Sequence, residues 1–218
     1  MAPTPATTTG AAAPGLLLEV ASLTCMAGSH PLFADWSCRV APGVTLVQGG
    51  EGTGKTTLLR LMAGELAPST GTFWLGAADL AGQPQAYRQQ VFLADPNTAA
   101  FDQMSPQAYL ASLEPRYPRF DAQAAQGLFE GLSLAEHQHK PMYMLSTGSR
   151  RKVWFAAAAA SGAALTLLDD PFAALDRRSI GFVCEVLQDA ALRASRIWIM
   201  ADYAAPAGVA LTGVIDLG

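Results

Sequence analysis

Charge is scarce in this chain. Only 15% of its 218 residues are Asp, Glu, Lys or Arg, and 18 acidic side chains outnumber 14 basic ones, a formal charge of −4. A nucleic-acid surface needs a basic face, so no nucleic-acid partner is expected. Cysteine is scarcer still. Cys25, Cys38 and Cys184 are an odd number without metal-ligand spacing, and they read as reduced, buried thiols of a cytoplasmic protein. The opening MAPTPATTTGAAAPG has neither a positive start nor a long apolar run. It reads as a disordered tail over residues 1–15 rather than a secretory signal. The most hydrophobic window, Val153 to Leu168, is interrupted by Ser161 and Gly162 and runs into Asp169-Asp170. That pattern is a helix feeding a buried strand, not a membrane span, so any membrane role is expected to pass through a partner.

What the chain does have is hydrophobic residues, 50% of the total, enough for the core of one α/β domain. Its organising stretch is VTLVQGGEGTGKTTLLRLM, Val44 to Met62. Val44 to Gln48 is a β-rich apolar run, whereas Leu58, Leu61 and Met62 recur at helical spacing. Between them, Gly49-Gly50-Glu51-Gly52-Thr53-Gly54-Lys55-Thr56 matches the phosphate-binding loop in full. Glycines let consecutive backbone N–H groups curl around a triphosphate, and the helix N-terminus adds its dipole. Lys55 is expected to neutralise β- and γ-phosphate charge, and Thr56 to offer its hydroxyl to Mg²⁺. The expected nucleotide-binding set is Gly49, Gly50, Glu51, Gly52, Thr53, Gly54, Lys55, Thr56 and Thr57. Pointing outward, Glu51 does no harm; pointing inward, it repels phosphate.

Along the chain, Leu16 to Ser22 and Pro31 to Val40 read as strands, and Ala41-Pro42-Gly43 as the turn before the phosphate-loop strand. Thr72 to Leu75 and Val91 to Ala94 are further strands, the latter ending at Asp95-Pro96-Asn97. The middle third turns helical. Ser105-Pro106 is an N-cap with a first-turn proline, and Asp121 opens a helix with Ala125, Leu128, Phe129 and Leu132 on one face. MLSTGSRRKV, Met144 to Val153, is a polar turn opening another helix, and its run Arg150-Arg151-Lys152 reads as a solvated face. Leu165 to Leu168 is a buried strand that delivers Asp169 and Asp170 to its C-terminal end, where open α/β sheets bind ligands. Arg196 to Met200 and Val214 to Leu217 are the last strands.

At LSTGSRRKV and LTLLDDPFAALD the chain resembles the ATP-binding cassette ATPases. Leu145-Ser146-Thr147-Gly148-Ser149 is similar to the family signature Leu-Ser-Gly-Gly-Gln, Ala173-Ala174-Leu175-Asp176 to the dimer-contact loop Ser-Ala-Leu-Asp, and the strand ending in Asp169-Asp170 to the second nucleotide motif. Order and spacing agree from about Leu16 to Leu217. PLFADWSCRVAPG and the compact C-terminus look like stand-alone cassettes of prokaryotic exporters, including the haem-exporter type. The resemblance implies an α/β phosphate-loop NTPase over 16–218, with a mixed central sheet flanked by helices and an inserted α-helical signature subdomain at about 96–155. It implies ATP and Mg²⁺ as ligands, and a membrane permease subunit as partner at the inner face of the membrane. It also implies an ATP-dependent dimer, homo- or heterodimer, in which Ser146 and Gly148 of one copy meet the ATP held by the other. LSTGS alone would be a plain helix N-cap; its place ahead of the Asp169 strand favours the signature.

The departures carry information. Asp169 matches the metal-organising aspartate, but the family's catalytic glutamate aligns with Asp170, one methylene shorter, and misplacement by about 1 Å can cost on the order of 10²-fold. The histidine that contacts the γ-phosphate aligns with Ala201, which cannot donate a hydrogen bond. The glutamine after the Phe92-Leu93-Ala94 strand is Asp95, which either holds a metal-bound water or is a turn residue before Pro96. Met26-Ala27-Gly28 replaces the aromatic that stacks on adenine. Two functions follow: an ATP-hydrolysing subunit with Asp170 as base and Lys55 on the phosphates, or an ATP-binding switch that dimerises without powering transport. A phosphate-loop kinase, the third reading, has no use for LSTGS or AALD.

Overall fold

The computed structural model describes residues 15–95 and 97–218. The expected N-terminal tail, except Gly15, and Pro96 lie outside the described residues. Strands β1 (Leu18–Ala27) and β2 (His30–Val40) form a hairpin. Next come β3 (Gly43–Gln48), helix α1 (Lys55–Met62), β4 (Thr70–Leu75), the short β5 (Ala78–Asp79), α2 (Pro84–Arg88) and β6 (Val91–Ala94). Helices α3 (Pro106–Leu113) and α4 (Ala122–Gly131) fill the middle, followed by α5 (Thr147–Ala160). The chain ends with β7 (Leu165–Asp169), α6 (Arg177–Arg193), β8 (Ile197–Asp202) and β9 (Gly213–Asp216). Ser105 and Asp121 cap α3 and α4 as expected, accepting from the amides of Ala108 and Ala124.

The expected mixture of strand directions is divided between two sheets. One is antiparallel, in the order β2-β1-β4-β5; the other is parallel throughout, in the order β6-β7-β8-β3-β9. Parallel strands need both faces covered, which is why β3, β7 and β8 are apolar at almost every position. Their side chains alternate between two cores. Val47, Leu167 and Ile199 join α1 and the antiparallel sheet, packing with Leu58, Met62 and Phe73. Leu46, Leu168 and Met200 face the opposite way and join the helices, packing with Trp154, Phe155, Val183 and Leu187. The helices between β6 and β7 share that second core, through Tyr109, Leu128, Phe129 and Met142, and close it over α5. No helix among the described residues is long and apolar enough to cross a membrane. The cysteines form no disulfide, and burial pushes the Cys38 thiol up to about 12.

The C-terminal end of α1 is secured from outside the helix. The Tyr87 hydroxyl donates to the Met62 carbonyl at 2.8 Å, and the Arg88 guanidinium donates to Gly64 O at 2.8 and 3.1 Å. Tyr87 is fully buried, so removing its hydroxyl leaves a helix-end carbonyl without a partner or water. Tyr87→Phe is therefore expected to lower unfolding free energy by about 1–3 kcal/mol with an unchanged urea m-value. An unaltered urea midpoint would show that this bond contributes nothing.

Candidate nucleotide site

Because β3, β8 and β7 are parallel and in register, their C-terminal ends share one edge: Gln48 pairs with Asp202, and Ala201 with Asp169. The phosphate-binding loop leaves β3 at that edge. Gly54, at the N-cap of α1, has φ +98°, and a Cβ there would lie 2.9 Å from the Leu32 side chain, so the turn into the helix requires glycine. The loop closes around the Lys55 ammonium, which donates to Gly49 O and Gly50 O at 2.7 Å each. The Thr53 hydroxyl tightens the turn by donating to Gly50 O at 3.0 Å. One residue on, the Thr56 hydroxyl donates to Asp169 Oδ2 at 2.7 Å and ties the start of α1 to the end of β7.

Apart from Gly49 and Gly50, which sit behind Lys55, these groups line an open cleft of about 440 Å³. From the sequence-predicted set it includes Glu51, Gly52, Thr53, Gly54, Lys55, Thr56, Thr57, Asp169 and Asp170, with Ala201 beside them. Glu51 is exposed. Ala27 and Leu32 give the cleft an apolar wall where the sequence lacks an aromatic. Burial raises the Asp169 carboxyl above its ordinary range; the Thr56 bond opposes this, Asp170 and Asp95 add to it, and Arg151 opposes it. Asp170 sits in the left-handed region, φ +48°, its amide held by Ala201 O at 3.0 Å. A non-glycine residue there stores backbone strain of about 1–2 kcal/mol.

Three predicted residues are placed elsewhere. Ser146 caps α5, accepting from the Ser149 amide at 3.1 Å. Gly148 is buried against the loop after β7, where a Cβ would come within 2.3 Å of Ala174 O. Neither lines the cleft of its own chain. Asp95 accepts from the Asn97 amide at 3.0 Å, as a turn residue does, and opens on a different cleft beside Arg60 and Arg116. Among the described residues no three His, Cys, Asp or Glu side chains are grouped to hold a metal ion. Of the expected metal set, Thr56 and Asp169 meet; Asp95 reaches Asp169 only through its field.

The run Arg150-Arg151-Lys152 is not the solvated face its composition suggests. Arg150 pairs with Asp102 at 2.8 Å, Lys152 with Asp176 at 2.7 Å, and Arg151 reaches Asp170 Oδ2 at 3.8 Å. The Arg151 and Lys152 side chains are each 13% exposed. The run turns inward because carboxylates on neighbouring loops face it, and local sequence does not show those partners. Lys152 and Ser179 together hold the Asp176 carboxyl well below the usual carboxylate range. Sequence reasoning also missed Asp202 and Tyr203, which complete the cleft wall. Burial raises the Asp202 carboxyl, and the Lys55 ammonium lies 4.4 Å from the centre of the Tyr203 ring. The signal was available: Asp202 ends the apolar strand β8 and Tyr203 follows it, at the same sheet edge as Asp169.

Comparison with known proteins gives the same picture. Residues 34–173 match the family model for ABC transporters. The cytochrome c biogenesis ATP-binding export protein CcmA of Pseudomonas savastanoi pv. phaseolicola is 34% identical over 164 residues, 75% of this chain and 77% of that protein. The protein of the same name from Aromatoleum aromaticum is 29% identical over 204 residues, covering 92% and 95%. The solved structure of a putative ABC transporter ATP-binding protein from Pyrococcus furiosus superposes with a TM-score of 0.75 at 21% identity, covering 92% of this chain and 97% of that one. Phosphate loop, strand-end carboxylates, intervening helices and likeness to these proteins converge, and the kinase reading falls away: the chain belongs to the ABC transporter family, as an ATP-binding cassette.

Proposed function

We propose that this chain is the ATP-binding subunit of a transporter whose membrane-spanning permease is a separate protein, and that it hydrolyses ATP slowly. The observation that carries the reading is the joined pair Lys55 on the loop carbonyls and Thr56 on Asp169, which sets a cation and an oxygen-donor pair at the mouth of a helix N-terminus. The donor set fits Mg²⁺, which takes one or two protein oxygens and keeps its other positions for phosphate and water. Bound there by Thr56 and Asp169, it would supply charge neutralisation for the phosphates. Gly52, Gly54 and the first amides of α1 cradle the triphosphate, and Ala27 and Leu32 give adenine an apolar wall without stacking.

Hydrolysis breaks the bond between the γ-phosphorus and the bridging oxygen while a water oxygen bonds to the phosphorus. The water's proton goes to a base, here Asp170. Arg151 lies behind Asp170, its guanidinium 3.8 Å from Asp170 Oδ2. Asp170 is shorter than the family's glutamate, and Ala201 donates nothing to the moving phosphoryl, so turnover is slow. Ser146 and the α5 N-terminus cannot reach the cleft of their own chain, which supports a head-to-tail dimer closing on ATP. The names of the relatives favour an export system, with the cassette at the inner membrane face on its permease. The second reading, a switch that binds ATP without powering transport, rests on the same two departures at Asp170 and Ala201.

Lys55→Ala is expected to abolish ATP binding by calorimetry; equal affinity in wild type and variant would remove the basis of the reading. Light scattering should show a monomer alone and a dimer with ATP, and Ser146→Ala should weaken the ATP-dependent step. A mass indifferent to ATP at high protein concentration would count against the sandwich. Asp170→Glu combined with Ala201→His should raise turnover by roughly 10²-fold, since each change acts on the same assembly and their effects need not multiply. Wild type already matching the double variant would make Asp170 a competent base and remove the switch.

A further inference from the structure

Tyr203 is the one large side chain of the cleft that the phosphate loop and the strand-end carboxylates leave unexplained. It is 63% exposed, yet its position is built. The Asp202 carboxylate accepts the Tyr203 amide at 2.6 Å, fixing the direction in which the chain leaves β8. Along β8, Ile199 and Ala201 belong to the core on the phosphate-loop side, and Tyr203 is the first residue past the strand's end. Its ring then meets Lys55, 4.4 Å from the ring centre to Nζ. An ammonium has three donors. Two are taken by Gly49 O and Gly50 O, which leaves one for an incoming phosphate, and the Tyr203 ring lies beside that same ammonium in the cleft.

We infer that Tyr203 contacts the terminal phosphate of bound ATP, its phenol hydroxyl donating the hydrogen bond that Ala201 cannot. This rests on the nucleotide reading above. A phosphate oxygen accepting from Lys55 lies about 2.8 Å from Nζ, nearer than the ring centre is now, so the phosphoryl group arrives alongside the phenol. Such a charge-assisted bond exists only while a γ-phosphate is present. Tyr203 therefore distinguishes ATP from ADP and acts on the group being transferred.

The test is calorimetry on wild type, Tyr203→Phe and Tyr203→His, with Mg²⁺ and either a non-hydrolysable ATP analogue or ADP. Tyr203→Phe keeps the ring over Lys55 and removes only the hydroxyl. It is expected to weaken the analogue by about tenfold while leaving ADP affinity within about twofold, with the melting temperature unchanged because the side chain is exposed. Tyr203→His, which restores a donor, should recover most of the lost preference, and ATP turnover should follow the same order. An equal loss for both nucleotides would make Tyr203 a structural residue and overturn the inference, as would no loss for either. Wild type binding both nucleotides with no discrimination by the hydroxyl defeats this inference alone; wild type binding neither defeats the nucleotide reading and this inference with it.

Discussion

The parallel register of β3, β8 and β7 is the constraint on which the rest of the molecule depends. Parallel strands end on the same edge, so the phosphate loop after Gln48, the Asp169-Asp170 pair and the Asp202-Tyr203 pair are gathered although they are far apart in sequence. The Thr56–Asp169 hydrogen bond spans 113 residues and turns that proximity into a fixed geometry. A one-residue slip in β7 would exchange Leu167 with Leu168 between the cores and swing Asp169 away from Thr56. Two-sided burial makes such a slip costly, since each of these leucines is almost wholly enclosed. The apolar continuity that reads as mere core in the sequence is thus what holds the polar edge in place.

A second set of contacts links this edge to the signature helix. Arg151 reaches Asp170, Lys152 binds Asp176, and Gly148 lies against Ala174 O, so three successive points of α5 touch the single turn between β7 and α6. That turn carries the base candidate at one end and the N-cap of α6 at the other, where Asp176 accepts from the Ser179 amide. Two positive φ values, at Asp170 and Ala174, leave the turn few alternative conformations. A second copy docking on Ser146 would press on the same helix terminus that positions Asp170. The proposed dimer contact and the proposed base would therefore be mechanically coupled through α5.

Elements with strong local patterns were legible in the sequence. The phosphate loop, the Ser105 and Asp121 caps, the β7 strand and its terminal carboxylates were read from glycine spacing, capping chemistry and apolar runs. The separation into two sheets was not, because strand pairing is set by contacts between distant segments that no local period records. β1 also runs on to Ala27 past Ser22, whose φ of +51° marks an irregularity in the pairing with β2 rather than its end. The basic run on α5 was misread for the same reason: Arg150, Arg151 and Lys152 look solvated until Asp102, Asp170 and Asp176 are brought opposite them. The placing of Tyr203 was not legible because it lies one residue past the end of β8, and only the fold sets it beside Lys55.

The charge pattern of the edge bears on the proposed pairing of nucleotide with a divalent cation. Asp169 and Asp202 are both pushed upward, chiefly by burial and further by the charge of Asp170. Lys55 opposes this at Asp202 and Arg151 at Asp169, but neither offsets it. Anionic phosphates arriving without a metal would add repulsion to a set of carboxylates already short of counter-charge. In the proposed site, a cation held by Thr56 and Asp169 would offset that negative charge where the phosphates are expected to lie. Metal and nucleotide binding would then depend on each other through the half-buried Asp169 that fixes the loop to the sheet.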